Sequence, residues 1–165
     1  MARIGSIARD KMAALLSGAA GVSGEIAALA AETGISLSPI DAEQVVAQNV
    51  TVETAERSSK VKYPVVYVYT DRIENQMREK FRTFSGTVRV VAELRISHEH
   101  LAPLERDLQM YLEAITSVLS RTRGDWGNGL YFTGAYEIQV GGVKPGGRNF
   151  IQVAKVQCEV DVSIQ

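Results

Sequence analysis

Between residues 81 and 119 the hydrophobic period changes once, and that change constrains the fold more than any other feature of the chain. From Phe84 onward the even positions Phe84, Val88, Val90, Ala92, Leu94 and Ile96 are apolar, Gly86 excepted. Thr87, Arg89, Glu93 and Arg95 hold odd positions, and only Val91 breaks the alternation. A period of two marks a strand with one buried and one wetted face. Leu101, Leu104, Leu108, Tyr111, Leu112, Ile115, Val118 and Leu119 then recur at steps of three, four and one, forming one stripe of a helix of about five turns. The apolar strand face needs a cover and the helix follows with almost no loop. Leu108, Leu112 and Ile115 are therefore expected to pack on Val88, Val90 and Leu94.

The rest of the chain supplies the sheet around this pair. Tyr63 to Thr70, YPVVYVYT, is apolar on both faces and reads as a central strand, or an edge strand at an oligomer interface; Asp71 to Lys80 reads as a polar connection or helical turn. Leu130, Phe132, Tyr136, Ile138 and Val140 alternate, as do Phe150, Ala154, Val156, Cys158, Val160, Val162 and Ile164. These form an antiparallel hairpin across the glycine-rich link GGVKPGGR. The segment RTRGDWGNGLYFTG reads as a loop at its glycines. Asp41 to Val52 allows a helix cap or a strand, and is read as a strand from about Gln44; Glu53 to Lys60 reads as a solvated loop. Upstream, Ile4, Ile7, Ala8, Met12, Leu15 and Leu16 make one helical stripe. Ser23 as cap, Ile26, Leu29 and Ala30 as a face and Gly34 as left-handed terminator make a second. The order implies an α+β fold with a mostly antiparallel sheet covered by one long helix and two N-terminal helices. Residues 1–165 are read as a single domain, with 1–34 a helical N-terminal extension and 35–165 an α+β core.

Composition narrows the function. With 165 residues, of which 45% are hydrophobic, one core suffices. Eighteen basic against 19 acidic residues give a net charge of -1, so any attraction to nucleic acid must be local. The lone Cys158 lies on the apolar face of its strand and reads as a small buried hydrophobe. No stretch is read as reaching the roughly 20 apolar residues of a membrane span, which implies a soluble protein of a reducing cytoplasm with no membrane partner.

Few side chains suggest chemistry. His98 and His100 stand two apart, a spacing able to reach one metal ion from an extended chain, but no third ligand is evident. The bland alternative is a polar helix start capped by Ser97. No serine sits in a nucleophile elbow and no carboxylate pair has surroundings that would split its pKa values. No catalytic residue, cofactor or metal is assigned, and an enzyme is not expected. The link GGVKPGGR runs from strand to strand rather than into a helix, unlike a phosphate loop. A tip that orders against a partner is expected instead, through Lys144, Pro145 and Arg148. Arg78, Lys80 and Arg82 beside Phe81 and Phe84 form a basic and aromatic cluster of the kind that binds single-stranded nucleic acid. Glu74 and Glu79 interrupt it, so an interface face is the preferred reading.

The order PVVYVYT, FSGTVRVVAELRIS, LERDLQMYLEAITSVL and closing hairpin, with RGDW, VKPGGRNF and QVAKV, resembles the tail-terminator (tail-completion) proteins of long-tailed bacteriophages, over roughly Tyr63 to the C-terminus. The resemblance implies a structural virion protein, assembled in the host bacterial cytoplasm and located in the tail or neck. It implies a homo-oligomeric ring, a hexamer, that caps the tail tube protein and joins it to the head-tail connector or stopper protein. Phage DNA would pass through its lumen without sequence-specific binding. The alternatives are a head-completion or neck adaptor of the same particle, a nucleic-acid-binding module using Arg78, Lys80 and Arg82, and a small metal-dependent hydrolase using His98 and His100.

Overall fold

The structure, a computed structural model, describes residues 3–58 and 61–165. Two long strands form its spine. β3 (Phe84–His98) and β7 (Asn149–Ile164) pair antiparallel from Phe84 opposite Ile164 to His98 opposite Phe150. Both carry apolar residues at every second position, and the register sets Val88 beside Val160, Val90 beside Cys158, Ala92 beside Val156 and Leu94 beside Ala154. All eight are fully buried. Slipping the pair by one residue would turn this face to water, so the apolar pattern itself specifies the register.

β2 (Val65–Asn75) lies antiparallel outside β3, and β1 (Val45–Val46) lies parallel outside β2. On the other side, β5 (Leu130–Val140) pairs with β7 and β4 (Gly124–Gly127) with β5, while β6 (Lys144–Gly146) pairs with the start of β7. The sheet runs β1-β2-β3-β7-β5-β4. It is curled and mostly antiparallel, and the fold is α+β.

The helix α4 (Ala102–Arg121) covers the apolar face of the spine, with Leu104, Leu108, Leu112, Ile115, Val118 and Leu119 buried in the same cluster as Val88, Val90 and Leu94. Helices α1 (Ile4–Ser17) and α2 (Val22–Thr33) add Ile4, Ala8, Met12, Leu16, Val22 and Ile26 to that cluster. Arg121 at the end of α4 donates to Glu25 of α2 and to the Ala20 carbonyl between the helices. Gly34 ends α2 in the left-handed conformation at φ 69°, its N–H bonded to the Ala30 carbonyl. By length and composition Ile4–Thr33 could cross a membrane, which corrects the expectation that no stretch would qualify. In the fold this stretch is two helices interrupted at 18–21, with one stripe of each in the core.

Several local expectations are overturned. The chain from Asp41 forms a 3-10 turn (Ala42–Gln44) with a reciprocal Asp41–Gln44 capping box, then only two strand residues. Val52–Ser58 is a short helix, α3, where strand and loop were expected; residues 59 and 60 of that loop lie outside the described residues. A seven-residue helix in which, among the described side chains, Ala55 is the buried one is too short to display a period. Asp71 to Asn75 continues β2 because the partner residues 86–89 hold it, polar or not. Gly124–Gly127 is strand rather than loop: the Trp126 indole donates to the Thr122 carbonyl at 2.8 Å, and its ring lies 5.1 Å from Phe132. Ser97 caps nothing, since β3 runs on to pair it with Ile151, and Leu101 is exposed at the helix start. Ser23 lies inside α2, whose N-cap is Gly21.

Candidate functional site

The sheet has a second face, and part of it is buried where water was expected. Val91, Glu93 and Arg95 of β3 lie under Val65, Tyr67, Tyr69 and Ala55, roofed by the chain that carries α3. The Arg95 guanidinium donates through Nη2 to the Val50 carbonyl, stands 3.4 Å from Glu93 Oε1 and stacks 4.2 Å above the Tyr67 ring. Burial, then the neighbouring Glu93 carboxylate, pushes the Tyr69 phenol well above its ordinary range. The arrangement clamps the segment around Val50 onto the sheet. Within it the Glu93 carboxylate faces the Arg95 guanidinium. A cavity of about 490 Å³ opens beside this pair, lined by Val50, Tyr69, Glu93, Arg95, Gln139 and Lys144 among others. The alternation of β3 hid this second core. The signal that could have shown it is the run Tyr63, Val65, Tyr67, Tyr69, apolar on the same face of the adjoining strand.

The residues assigned to partner contact do not form one patch. Arg78, Lys80 and Arg82 stand on the β2–β3 connection at the Phe84 end of the spine, while Lys144, Pro145 and Arg148 stand at the Phe150 end. The spine pairs residues 84 through 98, so the two groups are roughly 45 Å apart at about 3.3 Å per residue. Arg78 pairs with Asp161 at 3.1 Å and Arg82 with Glu79 at 3.1 Å. Among the described residues Lys80 has no ion pair. Phe81, in the middle of this cluster, is 99% exposed.

The glycine-rich link is more ordered in its path than expected. After Val140 the Gly141 N–H bonds to the Val153 carbonyl, then Lys144, Pro145 and Gly146 resume pairing with Ile151, Phe150 and Asn149. The turn itself is Gly147–Arg148, with Gly147 at φ 70°. Lys144, Pro145 and Arg148 are exposed on this ribbon.

Beyond a register shift between Phe132 and Tyr136, β5 leaves the cover of the helices. Tyr136, Ile138 and Val140 point to the helix side of the sheet, opposite Cys158, Val156 and Ala154, yet are 42%, 38% and 50% exposed. β4 pairs only with Leu130 to Phe132, so among the described residues no strand lies outside Tyr136 to Val140. This is an open edge beside an uncovered apolar row.

His98 and His100 have ring centroids 5.8 Å apart, with the His100 N–H donating to His98 Nδ1. Among the described residues no group of three or more His, Cys, Asp or Glu could hold a metal ion. Cys158 is fully buried, and burial raises its thiol pKa from 9.0 to about 12, far from a reactive thiolate. No family model matches the chain, and comparison with curated proteins finds no match.

Proposed function

We propose that the chain is a structural subunit of a phage-like tail, a terminator that forms a ring, caps the tail tube and meets the head-tail connector. The observation that carries this reading is the open edge of β5. On the side away from β7, residues 136–140 have no strand partner among the described residues, beside an exposed row of Tyr136, Ile138 and Val140. Proteins that remain single chains blunt such edges with charge, proline or a cover. Here the covering helices stop short, which suits an edge completed by a neighbouring subunit. The order of elements that resembles terminators supports the same reading. The basic cluster supports a nucleic-acid module less, because Arg78 and Arg82 are engaged with Asp161 and Glu79.

Electron microscopy and native mass measurement of the purified chain test this proposal. A closed ring, six subunits by the resemblance, is the expected outcome, and its addition should arrest polymerisation of the cognate tube subunit. A chain that stays monomeric at tens of micromolar overturns the reading. A ring that leaves tube growth unaffected places the protein at the neck instead.

A further inference from the structure

The charges on the wall of the cavity beside Arg95 do not cancel. At about 490 Å³ the cavity falls within the roughly 300–1,000 Å³ usual for small-molecule sites. Among the described residues three cations line it, Arg95, Lys144 and Lys155, against two carboxylates, Glu53 and Glu93. Glu93 is already answered, since Arg95 stands 3.4 Å from it and the Tyr69 phenol is its neighbour. Lys155 lies opposite Glu93 in the β3–β7 register, yet neither Lys155 nor Lys144 makes an ion pair among the described residues. Arg95 also has donors to spare. Its Nη2 bonds to the Val50 carbonyl, while its Nε has no hydrogen-bond partner among the described residues although the side chain is only 2% exposed. A buried guanidinium with unused donors on a cavity wall is able to take a further acceptor from a ligand. The rest of the wall is largely aliphatic, with Val50, Val52, Val140 and Val153.

We infer that this cavity binds a single carboxylate carried on a short aliphatic stem, the head at Arg95, Lys144 and Lys155 and the stem against the four valines. The size of the charge surplus selects the head. One uncompensated positive charge matches one carboxylate, whereas a phosphate dianion or a nucleic-acid strand brings more negative charge than this wall can neutralise beside Glu53 and Glu93. Charge-assisted bonds from guanidinium and ammonium groups to a carboxylate are strongest where water is partly excluded, as at the buried Arg95 and the half-buried Lys155. The valines select the stem, because each methylene that leaves water against them adds to binding. A free short-chain acid and the C-terminal carboxylate of a protein ending in an aliphatic residue share this chemistry. The site needs no neighbouring subunit and stands independently of the ring reading.

Isothermal titration calorimetry of the full chain with hexanoate tests the site, with acetate and inorganic phosphate for comparison. One hexanoate should bind per chain, and acetate and phosphate should each bind at least about tenfold more weakly. Lys144→Gln combined with Lys155→Gln turns the surplus into a deficit and should weaken hexanoate about tenfold or more. Glu53→Gln raises the surplus and should tighten it by about threefold. Lys11→Gln, which removes a positive charge from α1 outside the cavity wall, should leave the affinity unchanged, and Tm checks that each variant is folded. An acetylated tripeptide ending in leucine with a free C-terminus separates the two sources. Displacement of hexanoate by the peptide upholds the site as one for a protein terminus, and hexanoate binding that the peptide does not displace upholds it as one for a free acid. No saturable binding of hexanoate, equal affinity in the double lysine variant and the wild type, or phosphate as the tightest of the three anions would each overturn the site, whatever the oligomeric state of the chain.

Discussion

Arg95 shows how much one residue can depend on its neighbours. Its side chain is 2% exposed and its Nε has no hydrogen-bond partner among the described residues, so its burial is offset by the Val50 carbonyl, Glu93 and the Tyr67 face. Arg95→Met is expected to cost about 3–5 kcal/mol, since it leaves the Glu93 carboxylate buried and uncompensated. Adding Glu93→Gln should recover a large part, and denaturant unfolding of the two variants checks this. Buried acids set the alkaline limit. Burial, and secondarily Asp107, raises the Tyr111 phenol from 10.0 to about 12, and its hydroxyl donates to the Ser38 carbonyl at 2.8 Å. Burial alone raises Cys158 from 9.0 to about 12. In the unfolded chain these groups lose protons first, so above their unfolded pKa values the native state binds more protons and stability falls with rising pH. Their contribution is intact below pH 9 and declines between about 9 and 12. Melting temperatures across that window should fall more steeply for the wild type than for Tyr111→Phe.

At the scale of elements, the β3–α4 unit behaves as its two periods dictate, and the β2–β3 pair is limited by backbone contact. Leu112→Ala, at a site 3% exposed, should cost about 2–5 kcal/mol through the cavity it leaves. Gly86→Ala should be destabilising for the opposite reason. A Cβ there would lie 1.9 Å from the Glu74 carbonyl oxygen, so β2 must shift, at about 1–3 kcal/mol. Chemical denaturation measures both. The β3–α4 pairing was legible because each face is long enough to repeat its period several times. β1, α3 and β4 were not, since two, seven and four residues respectively carry too few repeats for a pattern to rise above local propensity.

For the whole molecule, the sheet separates its exposed features to different corners. The ribbon carrying Lys144, Pro145 and Arg148 extends one end, where these side chains have no ion pair among the described residues. Lys144→Glu with Arg148→Glu should therefore change unfolding free energy by less than about 0.5 kcal/mol. If this end meets an acidic surface on the tube or connector, the same pair of changes should reduce capped-tube yield while leaving the isolated ring intact. Unchanged yield would make the ribbon a passive link between β5 and β7.

What the sequence determined by itself is the part of the fold written in repeated local patterns: the β3 and β7 alternation, the α4 stripe, the two N-terminal helices, the second closed by Gly34, and the mostly antiparallel order. Each follows from periods of 2 and 3.6 acting over many residues. Only the tertiary structure decided which odd positions of β3 are dry, because Glu93 and Arg95 look solvent-facing until Tyr67, Tyr69 and the Val50 segment are folded over them. It also decided that the two basic groups part to opposite ends, that Phe81 stands in water and that the β5 row escapes α4. Those outcomes depend on which surface reaches which, and pairing between distant segments carries no periodic trace in either segment alone.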